Sequence, residues 1–322
     1  MTWAALATVY VVWGSTYLAI RVMVETMPPL LAAGVRFATA GAIFLVALVA
    51  ASGRTRIRVT RREAAGAGLL GLLLPFGGNG LVTVAEQHVP SGLAALIIGS
   101  VPLWVVLLRA AHGDRPPRAT IAGVVIGFTG LALLVLPGDR PGDAPLWGVL
   151  LCVAAAMSWG TGSFYSRRLP HPEDALASTA WQMLLGGVAM IVVGLAVGEA
   201  GNVHPGRFSL DSLLAFAYLI TIGSLLAYTA YNWLLKNAPI STVATYAYVN
   251  PVIAIFLGWA ILSEQVTLTV VAGAVAIVLS VAAVVRREGE ASSSRVWRTT
   301  AVPTGSPSAS STPRSLPLRD SG

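Results

Sequence analysis

The sequence predicts an all-α membrane protein with ten transmembrane helices in two inverted five-helix repeats. Three observations lead to this prediction. The chain of 322 residues is 55% hydrophobic and only 11% charged, with a mean hydropathy of +0.74, whereas about 25% of the residues in a soluble domain are charged. Ten apolar segments are long enough to cross a bilayer, which takes about 20 residues. The two halves of the chain also carry matching motifs in the same order.

The ten predicted spans are separated by loops that contain proline, glycine and charged residues. Their approximate bounds are 3–22, 30–51, 64–85, 91–110, 119–137, 146–166, 175–198, 212–235, 240–262 and 267–285. No basic segment precedes the first span and no small-residue cleavage site ends it, so we expect a membrane helix rather than a removed signal peptide. The final segment, 288–322, is rich in Ser, Pro, Thr and Arg and is predicted to be a disordered cytoplasmic tail.

Basic residues predict how these spans are oriented. The loops on one side of the membrane hold only two basic residues, Arg140 and Arg207. Thirteen basic residues fall on the other side, namely Arg54, Arg56, Arg58, Arg61, Arg62, Arg109, Arg115, Arg118, Arg167, Arg168, Lys236, Arg286 and Arg287. Because Lys and Arg collect in cytoplasmic loops, both termini are predicted to be cytoplasmic. The net charge of +7 follows from these loops, so we predict a lipid bilayer and not a nucleic acid as the partner of the basic residues.

An internal repeat divides the chain into residues 1–138 and 146–287. Matching residues are separated by 146 to 150 positions. The pairs are Trp13 with Trp159, Gly14 with Gly160, Arg36 with Gln182, Pro90 with Pro239, Pro102 with Pro251, and Gly123 with Gly273. Five crossings per unit invert the second unit in the membrane, an arrangement found in many secondary transporters, whose substrate site lies near the midplane between the halves. The alternative is a duplication that serves only as a symmetric scaffold.

Four motifs resemble those of the EamA family of the drug/metabolite transporter superfamily. They are WGSTYLAIR at 13–21, PPLLAAGVRF at 28–37, AEQHVPSGLAALI at 85–97 and ATYAYVNPVIAIFLGWAILSEQVT at 244–267. The resemblance implies a ten-helix fold of two repeats in the bacterial inner membrane, and an exporter of metabolites, amino acids or drugs. It also assigns the family's glutamate after the fourth helix of the repeat to Glu264, whereas the first half has Asp114 at this position.

Arg36 is the only charged residue predicted to lie well inside a span. All fourteen acidic residues and all four histidines fall in predicted loops, helix ends or the tail. A charge in the membrane interior is costly and marks either a pathway or a buried partner. Arg36 therefore either binds an anionic group, such as a substrate carboxylate, or pairs with Glu25 or Glu86 as a structural lock. The lock is the favoured interpretation, because both acids are predicted at the same depth.

Aromatic and amide side chains inside the spans predict a central cavity. Aromatic rings provide flat apolar walls with a hydrogen-bonding edge, which suits an aromatic or amphipathic organic solute. The alternative is an interfacial belt or ordinary helix packing. The candidates for the cavity are Trp13, Tyr17, Arg36, Asn79, Trp159, Gln182, Tyr228, Tyr231, Asn232, Tyr246 and Asn250.

Two prolines are candidates for hinges. Pro102 and Pro251 occupy the same position in the two repeats, and each removes one helical hydrogen bond. A helix that bends at matched places in both halves can act as a gate, and the alternative is a static kink.

Several other functions are disfavoured by what the sequence does not contain. It has no GxxxxGK[ST] motif for ATP, and its one cysteine provides no metal site, so no cofactor or metal is predicted. An intramembrane enzyme would need catalytic groups at membrane depth, and a channel would need a filter of repeated carbonyl loops or charged rings. The open alternatives for energy coupling are facilitated exit, or coupling through Glu86 or Glu264. The sequence specifies no oligomeric state.

Overall fold

Ten helices cross back and forth through a single bundle in the computed structural model, which describes residues 1–135 and 143–300 (only the backbone at 240, 241 and 288–300). Within these ranges there is no strand, nine helices are long and apolar enough to cross a membrane, and a further apolar helix, Tyr246–Leu262, has 17 residues. The helices are α1 (Thr2–Met23), α2 (Pro29–Ser52), α3 (Arg61–Ala85), α4 (Ser91–Ala111), α5 (Arg118–Val135), α6 (Leu146–Tyr165), α7 (Ala175–Ala196), α8 (Leu210–Asn237), α9 (Tyr246–Leu262) and α10 (Leu268–Thr300).

The structure corrects two of the predicted bounds. The ninth predicted span, 240–262, is divided into a short turn of helix, Ile240–Val243, and α9. The Thr245 hydroxyl donates to the Thr242 carbonyl oxygen at 2.5 Å, and such local bonds compete with a regular helix. In the predicted tail, α10 continues as a helix to Thr300, and the first proline, which would interrupt a helix, comes only at position 303. The end of the first predicted repeat and residues 301–322 lie outside the described residues.

A π-helical segment interrupts the third helix of each half. In α3 it spans Leu72–Gly80, with Pro75 inside it, and in α8 it spans Leu219–Leu226. Because Pro75 has no amide hydrogen, it cannot complete a regular α-helical turn. Wider turns of this kind are frequent at functional sites. Because they lie at matching positions in the two halves, the middle of α3 and the middle of α8 are candidate parts of a functional site.

Packing between α2 and α7 shows how the halves are related. A Cβ at Gly34 would lie 2.9 Å from the Gly187 carbonyl oxygen, and a Cβ at Gly41 would lie 2.7 Å from that of Ala180. Ala180 and Gly187 follow Gly34 and Gly41 by 146 positions, so the two contacts exchange when the halves are exchanged. Residue numbers rise along α2 as they fall along α7. The corresponding helices are therefore antiparallel, as expected for inverted repeats.

The pair α5 and α10 follows the same rule at a separation of 150 positions. A Cβ at Gly123 would lie 3.6 Å from the Ser280 carbonyl oxygen, and one at Gly130 would lie 3.2 Å from that of Gly273. Outside these pairs, α1 packs against α8 and α9, and its counterpart α6 packs against α3 and α4. The same exchange therefore describes the whole bundle.

The bundle has two ends, which we call the near side and the far side. The near side holds the beginning of α1 and the ends of α4 and α6. The far side holds the end of α1 and the beginning of α2. Because the helices alternate in direction, every loop can be assigned to one of these sides.

Candidate functional site

A cavity lies at the centre of the bundle, in two connected compartments. The inner chamber has a volume of about 110 Å³ and lies beside the interrupted parts of α3 and α4. The vestibule has a volume of about 520 Å³ and extends to the near side, where it is lined by Arg109, Ser166, Arg167 and Val285. The residues shared by both compartments form their junction and are Trp13, Val101, Pro102, Trp159, Tyr228, Tyr246 and Ala247.

Trp13 is the centre of an aromatic cluster at this junction. Its ring centroid lies 5.1 Å from that of Tyr228, 5.0 Å from that of Tyr231 and 5.2 Å from that of Tyr246. Edge-to-face and tilted contacts of this kind contribute about 0.5–1.5 kcal/mol each beyond the burial of area. The cluster therefore fixes α1 to α8 and α9 and gives the cavity an apolar wall.

The Trp159 ring packs closely against α3 because a glycine, Gly78, lies opposite it. A Cβ at Gly78 would lie 2.3 Å from a ring carbon of Trp159, so any side chain there would displace the indole. Next to it, the Ser158 hydroxyl donates to the Leu73 carbonyl oxygen at 2.8 Å, within the π-helical segment of α3. The segment thus holds α6 through the Leu73 carbonyl group and makes room for the ring, a role that the sequence analysis missed.

Arg36 lies in the inner chamber and does not form the predicted lock. Its side chain is 2% exposed, and its Nε donates to the Ser224 hydroxyl at 3.2 Å. The guanidinium carbon lies 4.5 Å from the centre of the Phe37 ring. In the described part of the chain, neither Glu25 nor Glu86 forms an ion pair with Arg36, and its Nη1 has no hydrogen-bond partner. The favoured interpretation is therefore wrong in this conformation, because neither carboxyl group lies within ion-pair distance of the guanidinium.

Glu86 is instead held through its backbone. Arg21 donates to the Glu86 carbonyl oxygen, while the carboxyl group is fully buried and both of its oxygens lack a partner among the described residues. On α3, Val82 lines the inner chamber one turn before Glu86. The carboxyl group therefore lies just beyond the far end of the chamber.

The other polar candidates are distributed over both compartments, with one exception. Tyr17, Asn79 and Asn250 line the inner chamber, and Gln182 lines the vestibule. Asn232 lines neither compartment. It is buried between α7 and α8, where its amide donates to the Thr179 hydroxyl at 3.3 Å and to the Tyr228 carbonyl oxygen at 2.8 Å. This corrects the prediction that Asn232 faces the cavity.

The two matched prolines both line the inner chamber. Pro102 begins the second part of α4, after a break at Gly99 and Ser100, whereas Pro251 lies inside α9. A Cβ at Gly99 would lie 2.9 Å from the Pro251 ring. The matching span of the second half is interrupted earlier, between Val243 and Tyr246, and not next to its proline, so the repeats differ in the position of the break. A hinge at either proline stays a prediction.

Two carboxylates join the second half to the first on the far side of the bundle. Glu199, which follows α7, accepts hydrogen bonds from the amides of Leu30 and Leu31 at 3.1 and 2.8 Å. Glu264, which follows α9, accepts from the first two amides of α4 at 2.7 and 3.1 Å. Negative groups are stabilising at helix N-termini, where free amides point outward. The resemblance suggested a role for Glu264, and the structure identifies its partners.

A cavity that opens on one side of a bundle of membrane-length helices, between two inverted halves, is the architecture of a membrane transporter. The EamA-like transporter family matches residues 1–136 and 146–286 of this chain. The chain therefore belongs to the EamA-like transporter family, as its motifs predicted.

Individual relatives agree with this assignment. The chain is 39% identical, over 79% of its length and 80% of the relative, to the uncharacterized inner membrane transporter YedA of Escherichia coli strain K12. It is 27% identical, over 84% of its length and 89% of the relative, to a probable amino-acid metabolite efflux pump of Salmonella typhimurium. A solved structure described as a crystal structure of protein has the same fold, with a TM-score of 0.62, 19% identity and coverage of 87% of this chain and 96% of that one.

Proposed function

We propose that this protein is a secondary transporter of the bacterial inner membrane that exports small organic solutes, such as metabolites, amino acids or drugs, by alternating access. The observation that carries the proposal is the unequal closure of the central cavity. The vestibule reaches the near side, while Glu199 and Glu264 bind helix N-termini of the other half on the far side. A carrier must close one side of its site while the other is open, and inverted halves provide two such arrangements.

The direction of export rests on the orientation of the bundle. The near side contains the loops with thirteen of the basic residues in the sequence analysis, and such loops are cytoplasmic in membrane proteins. The vestibule then collects its solute from the cytoplasm. Fusion of a reporter to each terminus tests this assignment, and termini on opposite faces of the membrane would contradict it.

The aromatic junction supports an organic solute with an aromatic or amphipathic body. Trp13, Trp159, Tyr228 and Tyr246 surround the passage between the compartments. In the proposed cycle, a solute passes this junction and fills the inner chamber, and one half then rocks against the other. A passive channel is the alternative, and it would require both sides to be open at once. Counterflow in proteoliposomes separates the two, because only a carrier exchanges labelled for unlabelled solute against a gradient.

Replacement of Glu264 by alanine should open the far side. The variant loses two hydrogen bonds to a charged acceptor, which contribute about 1.5–3 kcal/mol each. Spin labels at Gln87 and Gly201, introduced as cysteines together with Cys152→Ala, report the separation of the halves on that side. We expect a longer mean distance in the Glu264→Ala protein and an unchanged one in Asp211→Asn, which removes an exposed acid from the same side. Equal distances in all three would contradict the assignment of Glu264 to closure.

A further inference from the structure

The pathway through this protein carries charge of only one sign. Among the described residues that line the two compartments, the charged ones are Arg36 in the chamber and Arg109 and Arg167 in the vestibule. Arg109 is paired with Asp114, which does not line the cavity, and Arg167 is exposed at the mouth. A solute entering from the near side therefore passes two cations before it reaches a third. Lining charges of one sign attract solutes of the other and repel those of the same sign.

Arg36 has donors to spare in the inner chamber. A guanidinium group has five N–H donors. Ser224 binds the Nε donor, and Nη1 is buried with no hydrogen-bond partner among the residues that the structure describes. Leaving such a cation desolvated and unpaired costs several kcal/mol. A carboxylate is the anion that a guanidinium binds through two parallel hydrogen bonds, and no carboxylate of the described chain does so here.

We propose that the exported solute is an organic anion whose carboxylate pairs with Arg36 while its apolar body lies against the aromatic junction. The lining residues fit this arrangement. Tyr228 lines the same chamber as Arg36 and lies in ring contact with Trp13. An amine has no acidic partner on the lining. The inference rests on the proposed transport function and specifies its substrate class.

Three ligands of the same size test the charge preference in the unaltered protein. They are 3-phenylpropionate, 3-phenylpropionamide and 3-phenylpropylamine, and binding is followed by the thermal shift of purified protein and by counterflow in proteoliposomes. Hydrogen bonds to a charged group contribute about 1.5–3 kcal/mol, which corresponds to a factor of roughly 10 to 150. We expect the carboxylate to bind at least about tenfold more tightly than the amide, and the amine not to bind. Equal or tighter binding of the amine would overturn the proposal.

Variants of Arg36 assign the preference to this residue. Arg36→Gln should reduce carboxylate binding by about tenfold or more and leave amide binding nearly unchanged. Arg36→Lys keeps the charge without the planar fork and should be intermediate. Ser224→Ala, which removes one bond to Arg36 without altering its charge, should keep the carboxylate preference. If Arg36→Gln does not fold, the lysine variant and the three-ligand comparison still test whether Arg36 sets the charge preference. An unchanged preference for the carboxylate in either Arg36 variant would contradict the assignment.

The outcomes separate this inference from the proposed function. Counterflow of the amine but not of the carboxylate would support a carrier and overturn the anion preference. Binding of the carboxylate that depends on Arg36, with no counterflow of any of the three ligands, would support the site and contradict transport.

A second inference rests on a different group, the carboxyl group of Glu86. Its side chain is 0% exposed, and within the described ranges neither oxygen has a hydrogen-bond partner. An isolated buried carboxylate is very costly, and such a group is expected to be neutral instead. When the far side opens, water reaches the end of the chamber and this cost disappears.

We infer that Glu86 binds one proton when the far side closes and releases it when the far side opens. Burial and then the neighbouring Glu264 raise the pKa of Glu86 well above its ordinary value, against the opposite effect of Arg21 and Arg36. The closed state thus holds more protons than the open one, so closure is favoured at low pH and is lost as the pH rises through the raised pKa. The titratable and charged groups that face Glu86 are Tyr17 and Arg21 of α1, Arg36 of α2, Cys152 of α6, and Glu264 after α9.

The pH dependence of far-side opening tests this inference. The distance between spin labels at Gln87 and Gly201, in the Cys152→Ala background, should lengthen as the pH is raised. In Glu86→Gln, which is neutral at every pH, it should stay short. Glu86→Asp keeps a titratable group and should keep the dependence, whereas Asp211→Asn should match the parent. Identical pH curves for Glu86→Gln and the parent would overturn the inference.

Discussion

Replacement of Trp13 by alanine should lower the apparent affinity for an aromatic solute by at least about tenfold, which corresponds to about 1.4 kcal/mol. The indole contacts three tyrosines at centroid distances of 5.0 to 5.2 Å and lines both compartments of the cavity. Its removal eliminates ring contacts of about 0.5–1.5 kcal/mol each and widens the junction. Counterflow of 3-phenylpropionate in proteoliposomes, corrected for the amount of folded protein, measures the effect.

Two variants separate the role of Trp13 in binding from its role in folding. Trp13→Phe keeps an aromatic wall and should recover most of the affinity. Trp259→Ala removes an indole that is 57% exposed on the outside of the bundle and should leave affinity unchanged. If Trp13→Ala and Trp259→Ala behaved alike, the aromatic cluster would not be part of the solute site.

Replacement of Gly187 by leucine should destabilise the protein by about 3 kcal/mol or more, at the upper end of the range for overpacking. A Cβ at this position would lie 2.4 Å from the Ala38 amide nitrogen and 2.7 Å from the Gly34 carbonyl oxygen. Both atoms belong to the backbone of α2, so no side chain can rotate away and the helices must separate. Thermal unfolding in detergent, followed by size-exclusion chromatography, measures the loss.

Gly68 provides the matched control for this change. The nearest atom to a Cβ at Gly68 is the tip of the Leu185 side chain, at 3.6 Å, which is an ordinary contact. Gly68→Leu adds the same side chain to another helix of the bundle and removes a poor helix former, so its stability should be equal or up to about 1 kcal/mol higher. A similar loss in both variants would show that lipid exposure, and not α2–α7 packing, sets the cost.

The helices and their order were predictable because the membrane imposes a length and a polarity on each crossing. The pairing of α2 with α7 was not, although Gly34, Gly41 and Gly187 are visible in the sequence. Small residues allow two helices to approach closely, but they do not specify which helix is the partner. The π-helical segments were also missed, since only Pro75 marks one of them and no proline occurs in Leu219–Leu226.

The types of residue in the candidate site could be predicted, but which face of each helix points toward the cavity could not. Tyr228 and Tyr231 line the cavity, whereas Asn232 lines neither compartment and donates to the Thr179 hydroxyl of α7. The predicted depth of residues in the membrane also did not identify the partner of Arg36. Glu86 was expected at the same level in the membrane, yet its carboxyl group has no hydrogen-bond partner in the described part of the chain, because proximity in depth does not bring two side chains together across a bundle.

The cross-links made by Glu199 and Glu264 give the two faces of a nearly symmetric molecule unequal strength. Both acids belong to the second half, and on the near side the described residues form one ion pair between the halves, from Arg56 to Asp174 at 2.9 Å. In the alternating-access cycle that we propose, the empty carrier therefore rests open to the near side. A solute approaching from the opposite compartment meets its site only in the rarer conformer, so its apparent dissociation constant is increased by the reciprocal of that population. Recapture of released cargo is thereby suppressed without any change in the site itself.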